Sequence, residues 1–236
     1  MSAHPSPHKP VALVTGATSG MGREVARELS ATHQVIAVGR DEARLAAITA
    51  ETGATPWQFD LTSDAEALGA SVAALERLDV LVHAAALGGH HSVAEAPDAV
   101  WQEQFETNVL APARITRQAL PLLRETEGTV IFIGSGASTR PVPGSAVYSA
   151  TKHALKALAD VLRIDEEPRR VRVTTLAPGQ TNTAMLKRSI PSQQHTPERY
   201  IQPRSVAATV RFVVDAPADV HLTDVTLRPR QEIARL

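Results

Sequence analysis

The 236-residue chain has no cysteine. Disulfides, thiol nucleophiles and cysteine–zinc sites are therefore excluded, and the absence fits a cytoplasmic protein. It has almost no net charge: 24 Lys and Arg stand against 25 Asp and Glu, leaving -1. That balance gives no argument for nucleic acid or an anionic membrane as a partner. No apolar run is long enough to cross a bilayer. The start, MSAHPSPHKP, lacks the apolar core of a signal peptide and reads as a short mobile tail over residues 1–9. With 43% hydrophobic residues, the remainder can bury a core. Its length suits one α/β domain over residues 10–236, with no internal repeat or low-complexity linker to divide it.

What the chain does have is alternation. Short apolar runs at 10–16, 34–39, 55–60, 78–86, 128–135, 171–179 and 224–229 read as strands. Between them, apolar residues recur at helical spacing over 21–30, 41–51, 64–75, 98–126, 147–164 and 205–215. The 98–126 helix is expected to bend at Pro112. The strands are mostly apolar throughout, which predicts a parallel sheet covered by helices on both faces: a doubly wound, Rossmann-like α/β fold. Residues 184–204 carry Pro191, Pro197 and Pro203 and no clear period, so an irregular excursion is expected there. Its length and position predict a lid over 184–202, with Met185, Leu186 and Ile190 as the apolar inner face.

Two constellations carry chemistry. The first strand runs into TGATSGMG, with glycines at 16, 20 and 22. Such a turn lets the backbone approach a pyrophosphate at a helix N-terminus, where free N–H groups and the dipole favour anions. Further on, Tyr148 and Lys152 lie four residues apart in VYSATKHALKALADVLRI, one above the other on a helix face. A free tyrosine has a pKa near ~10, and a neighbouring ammonium is expected to lower it toward a useful range.

Taken in order, TGATSGMG, FDLT, LVHAAA, TNVLAP, IFIGSGAS, YSATK and LAPGQTNT resemble the classical short-chain dehydrogenase/reductase family, over nearly the whole chain from Val11 to Pro229. The resemblance implies an oxidoreductase that interconverts a carbonyl and a secondary alcohol, with a small-molecule substrate and a homodimer or homotetramer. It makes Tyr148 the acid/base, Lys152 the partner that also holds the nicotinamide ribose, Ser135 the group that binds the substrate oxygen, and Asn108 the holder of a relay water. It assigns to the cofactor Gly16, Thr18, Ser19, Gly20, Met21 and Gly22 of the first turn, Asp60 and Leu61 on the adenine, and Ala84, Ala85 and Ala86 on the adenosine side. Pro178, Gly179, Thr181 and Thr183 form the loop on the carboxamide, with the two threonines as alternative donors. Ser138 is a rival to Ser135 by residue type, but its place in the motif is wrong.

Two positions depart from the family pattern. The fourth strand ends HAAA, His83 to Ala86, where N-N-A-G is usual. His83 is expected to be a buried structural residue, and His90 and His91 a surface loop. At the tip of the second strand, Gly39 replaces the acid that binds an unphosphorylated ribose, and Arg40 follows. An arginine there suits the 2′-phosphate of NADP rather than NAD. Asp41 is the counter-reading, either as a ribose ligand or as a helix N-cap. The alternatives to a carbonyl–alcohol oxidoreductase are a dinucleotide-binding redox sensor without turnover, or an epimerase or dehydratase of the longer related family.

Overall fold

A computed structural model describes residues 9–140, 142–190 and 195–231. The expected tail, Lys9 apart, lies outside the described residues, as do four residues of the expected lid. Seven strands form one sheet: β1 (Val11–Thr15), β2 (Gln34–Gly39), β3 (Thr55–Gln58), β4 (Val80–His83), β5 (Thr129–Ile133), β6 (Arg172–Pro178) and β7 (Asp224–Leu227). Their order is β3-β2-β1-β4-β5-β6-β7, and every pairing is parallel. β4 and β5 are buried along their whole length, which explains why they read as continuous apolar runs rather than alternating ones.

The helices are α1 (Gly20–Ser30), α2 (Glu42–Thr52), α3 (Ala65–Ala73), α4 (Asp98–Phe105), α5 (Ala111–Thr126), α6 (Ala146–Glu166), α7 (Ala184–Arg188) and α8 (Pro203–Val214). One core layer joins Val25, Leu29, Ile48, Val206 and Val210 to Val14 and Val82 of the sheet. The layer on the other face joins Leu68, Ile115, Leu123 and Leu155 to Leu13, Leu81 and Phe132. The chain builds outward from β1 to β3, then returns to start β4 on the other side of β1. The carboxyl ends of β1 and β4 therefore flank the point where strand order reverses, the place where open α/β sheets bind ligands.

The helical run expected over 98–126 is continuous but not uniform: a π-turn at Glu106–Leu110 joins α4 to α5. Pro112, which is buried, follows directly, and having no N–H it cannot donate to Asn108 O four residues back. α5 is tied to α6 at the far end by a forked ion pair. Arg124 donates from Nε at 2.8 Å and Nη2 at 2.6 Å to the carboxylate of Glu166, which is 3% exposed. Those hydrogen bonds hold the Glu166 carboxyl below its ordinary pKa against the effect of burial.

The 184–204 excursion contains a short helix that the sequence pattern does not signal, α7, and α8 starts two residues earlier than expected, at Pro203. Its two ends are clipped together. Ile201 N–H donates to Gln180 O at 3.0 Å, and Asn182 N–H donates to Ile201 O at 2.8 Å. His195 stacks on the buried Tyr200 ring, 5.2 Å between centroids, and its Nε2 lies 3.1 Å from Asn182 Oδ1.

Candidate active site

β5 ends at Ile133, and the chain turns through Gly134 into a 3-10 turn, Gly136–Ser138, capped by Ser135. Ser135 Oγ accepts from Ala137 N–H at 3.1 Å, and Ser138 Oγ accepts from Ser135 N–H at 3.2 Å. The two serines thus part company: Ser138 is buried and bonded to the turn, and the Ser135 hydroxyl lies beside the Tyr148 phenol. Tyr148 and Lys152 both project from the first turns of α6, as the four-residue spacing requires, with Lys152 Nζ 5.7 Å from the centre of the tyrosine ring.

The protonation of this pair differs from the expectation that the ammonium lowers the phenol. Burial pushes the Tyr148 phenol up, and the Ser135 hydroxyl pulls against that rise. Lys152 Nζ instead donates to Ile133 O at 2.9 Å. It is 2% exposed, and burial brings its pKa down to about 8. Desolvation is the largest cause of both shifts.

Asn108 comes to the site through the π-turn. It is 1% exposed. Its Oδ1 accepts from Leu87 N–H at 2.8 Å, and its Nδ2 donates to Leu87 O at 2.8 Å and to Thr151 Oγ1 at 3.0 Å. One amide thereby joins the loop after β4 to the helix that carries Tyr148 and Lys152. π-turns frequently occur at such positions, because the wider turn re-aims a side chain.

On the other side of the switch point, Gly16 has φ +68° and lies so close to the HAAA loop that a Cβ would be 2.7 Å from Ala85 Cα. A Cβ on Gly22 would in turn overlap Gly16 O. The missing asparagines of that loop are replaced by Thr15, whose Oγ1 accepts from Ala84 N–H at 3.2 Å and Ala85 N–H at 3.3 Å. His83 Nε2 lies 2.9 Å from Thr116 Oγ1, and its ring stacks on Phe132 at 5.0 Å. Burial drives its pKa down to about 3, so the ring is neutral and cannot serve as a base near neutrality.

Thr18, Ser19, Gly20, Arg23, Arg44 and Thr183 line a cavity of about 400 Å³ at the N-terminus of α1. A larger cavity of about 650 Å³, with Glu24, Arg27, Tyr200 and Arg204, holds none of the residues expected at the site. The two candidate threonines separate. Thr183 faces Gly20 and caps α7, whereas Thr181 is buried and donates to Gly179 O at 3.0 Å. Pro178 and Gly179 form the exit from β6, where Gly179 N–H donates to Leu227 O at 2.9 Å. Met21 packs on the core from the same turn as Ser19, and Ala86 is half-buried behind Ala85.

At the tip of β2, Asp41 is the N-cap of α2 and accepts from Arg44 N–H at 3.0 Å. Arg40 is 65% exposed and lies 3.4 Å from Asp60 Oδ2, a surface pair that holds it weakly. Asp60 takes hydrogen bonds from Thr62 N–H and Oγ1, which keep its carboxyl below the usual range. Leu61 is buried beside it. Arg44 was not among the residues the sequence singled out. Its place on the first turn of α2, one turn beyond Arg40, is the signal that could have found it.

A family model described as short chain dehydrogenase matches residues 10–194. The chain belongs to the short-chain dehydrogenase/reductase family and is an oxidoreductase of that family. An uncharacterized oxidoreductase of Mycobacterium tuberculosis is 37% identical over 232 residues, covering 95% of this chain and 92% of the relative. Serine 3-dehydrogenase of Rhizobium radiobacter is 33% identical over 231 residues, covering 92% of each. The closed form of a serine dehydrogenase complexed with NADP+ superposes with a TM-score of 0.85 at 29% identity, over 96% of this chain and 98% of the other. Among the described residues of this family member, no helix is long and apolar enough to cross a membrane.

Proposed function

We propose that the protein interconverts a carbonyl and a secondary alcohol, with NADP(H) as the hydride carrier and Tyr148 as the acid/base. The observation that carries this reading is the meeting of the Ser135 hydroxyl, the Tyr148 phenol and the Lys152 ammonium at the carboxyl end of β5, with Asn108 fixed behind them. NADP(H), when bound, supplies or accepts the hydride. Ser135 holds the substrate oxygen and stabilises charge that develops on it. Tyr148 gives that oxygen a proton in reduction and takes one back in oxidation. Lys152, released from Ile133 O, donates to the ribose hydroxyls and favours the phenolate.

The glycine turn fits a dinucleotide. The close approach of Gly16 to Ala85 leaves the backbone bare at the switch point, and the adjoining cavity is lined by loop residues, two arginines and one acid, Glu24. Arg40, exposed and weakly paired, supports a 2′-phosphate, and the bond from Arg44 N–H to Asp41 supports the N-cap reading of that acid. The serine dehydrogenase complex with NADP+ adds to this. The direct test follows NADPH absorbance over a panel of small carbonyls that includes oxo acids. Wild type is expected to bind NADPH more tightly than NADH. Arg40→Ala should weaken NADPH by about 1.5–3 kcal/mol, as for a hydrogen bond to a charged group, and leave NADH nearly untouched. Cofactor binding without turnover on any carbonyl would favour the redox-sensor reading.

Two further parts of the proposal concern residues around the site. The chain acts as one catalytic domain with a lid over 184–202, of which residues 191–194 lie outside the described residues. Met185 is half-buried, and a Cβ on Gly88 would meet its sulfur at 3.0 Å and the Tyr148 ring at 3.5 Å. The nearness of Met185 to the Tyr148 ring across Gly88 supports this reading. The backbone bonds of Asn182 and Ile201 supply fixed ends from which such a segment would close. Amide exchange over 184–190 should slow on adding NADPH and an inhibitor together; equal protection with and without them would rule closure out. The exposed Leu110, Val161 and Ile164, on the π-turn before α5 and on α6, support a homodimer or homotetramer through those helices. A monomer by light scattering at micromolar concentration would contradict it.

A further inference from the structure

β7 lies beside β6 at the edge of the sheet, and its successive side chains point to opposite faces. Asp224 marks one of them, because it accepts from Lys156 Nζ of α6 at 2.9 Å. Arg228, four residues on, returns to that same face, and Pro229 keeps the residue before it extended. α6 starts beyond the carboxyl end of β5 and runs back against the strands, so Tyr148 stands eight residues above Lys156. A strand rises ~3.3 Å per residue and a helix ~1.5 Å. Four residues of β7 therefore climb about 13 Å and eight residues of α6 about 12 Å, which brings Arg228 level with Tyr148.

The guanidinium completes the approach. Its Nη1 lies 2.7 Å from where a Cβ on Gly136 would be, with Cζ at 3.7 Å and Nη2 at 3.8 Å. Gly136 has no positive φ, so its backbone does not call for glycine; the arginine fills the space instead. Gly136 directly follows Ser135, whose hydroxyl lies beside the Tyr148 phenol. Nη1 is also 3.6 Å from the Cβ position of Gly179. The cation thus sits between the turn that carries Ser135 and the exit of β6. It is exposed. Asp224, the acid of its own strand, is taken by Lys156, and among the described residues no carboxylate pairs with Arg228.

We propose that Arg228 is a substrate-binding residue that selects a short oxo acid or hydroxy acid: its guanidinium takes the carboxylate while Ser135 and Tyr148 take the reacting oxygen. The inference deepens, and rests on, the carbonyl–alcohol reading of the site. A planar fork of N–H donors matches a carboxylate with two parallel hydrogen bonds. Its place one residue from Ser135 keeps the two ends of the substrate close together, so the acid is small. The charge orients the carbonyl and takes no part in bond making.

The test compares 2-oxobutanoate, acetoacetate and levulinate, each against its methyl ester, as substrates for reduction by NADPH and separately by NADH. Wild type should favour at least one acid over its ester by about tenfold or more in kcat/KM. Arg228→Gln should lower kcat/KM for that acid by about 10–100-fold, mostly through KM, as for a lost hydrogen bond to a charged group. The ester should lose far less, so the preference for the acid collapses. Arg228→Lys keeps the charge without the fork and should retain part of the preference. Arg230→Gln removes an equal charge from an exposed position two residues on, and should leave the preference intact. Equal losses on acid and ester in Arg228→Gln would make the arginine a structural residue and overturn the proposal. So would a wild type that reduces the esters as well as the acids, or neutral carbonyls alone. Those results leave the carbonyl–alcohol reading standing, whereas no turnover of any carbonyl, charged or neutral, sinks both.

Discussion

Replacing Tyr148 with phenylalanine is expected to cut turnover by about 10²–10⁴-fold while NADPH binds almost as in the wild type. The substitution removes one oxygen. It leaves the ring against Gly88, the Lys152 ammonium and the glycine turn in place. Only the proton path is lost, so the damage should appear in kcat rather than in cofactor Kd. Lys152→Ala should differ by harming both, since Lys152 is also the proposed ribose contact. The pH dependence gives a second reading of the same pair. Burial holds Lys152 at about 8 in the free protein, so NADPH affinity should weaken as pH rises through that value and the ammonium is lost. The phenol moves the other way, above its ordinary pKa. Carbonyl reduction, which uses the neutral phenol, should therefore keep its donor throughout the neutral range. Near wild-type turnover by Tyr148→Phe would end the catalytic assignment.

The second large effect is on stability in acid, and it comes from His83. The ring is 2% exposed, its pKa is held at about 3 by burial alone, and its Nδ1 has no hydrogen-bond partner. In the unfolded chain a histidine takes up its proton near ~6.5. Between those values the unfolded state binds a proton that the folded state refuses. Stability is therefore full above the unfolded pKa and falls as pH drops toward the folded one, by about 1.4 kcal/mol per pH unit. At pH 5 the loss due to His83 should reach about 2 kcal/mol. His33, whose pKa is also lowered by burial, with Arg211 adding to the shift, acts in the same direction. Denaturant unfolding of wild type and His83→Asn at pH 7 and pH 5 isolates the His83 part, because the other groups are common to both. Whatever the substitution costs at pH 7, the drop from pH 7 to pH 5 should be smaller in the variant by about that 2 kcal/mol. Parallel pH dependence in the two proteins would mean that the folded ring accepts a proton after all.

Some of this site could be read directly from the chain, because it depends on local rules. A parallel sheet buries both faces of its strands, so β1, β4 and β5 announce themselves as unbroken apolar runs. Four-residue spacing on a helix sets Tyr148 above Lys152 wherever α6 is placed. A glycine turn between a strand and a helix points to an anion site without any knowledge of the rest of the fold. Other features needed contacts between segments far apart in sequence. Pro112 marked the region where the long helix is irregular, but the π-turn just before it is not legible in the sequence. That turn aims Asn108, whose bonds reach Leu87 and Thr151, 21 and 43 residues away. That Asp41 caps α2 shows only in its bond from Arg44 N–H, and Thr181 and Thr183 were equivalent until burial turned one inward. The helix α7 is too short to leave a period, and only its packing shows it. Sequence by itself determined the alternation of elements, the family motifs and the residue types from which a proton-transfer site and an anion site are proposed. Tertiary structure decided which of those groups face one another, and it set their protonation. Both follow from burial and from neighbours that the chain brings together only on folding, and neither is written in any local stretch of residues.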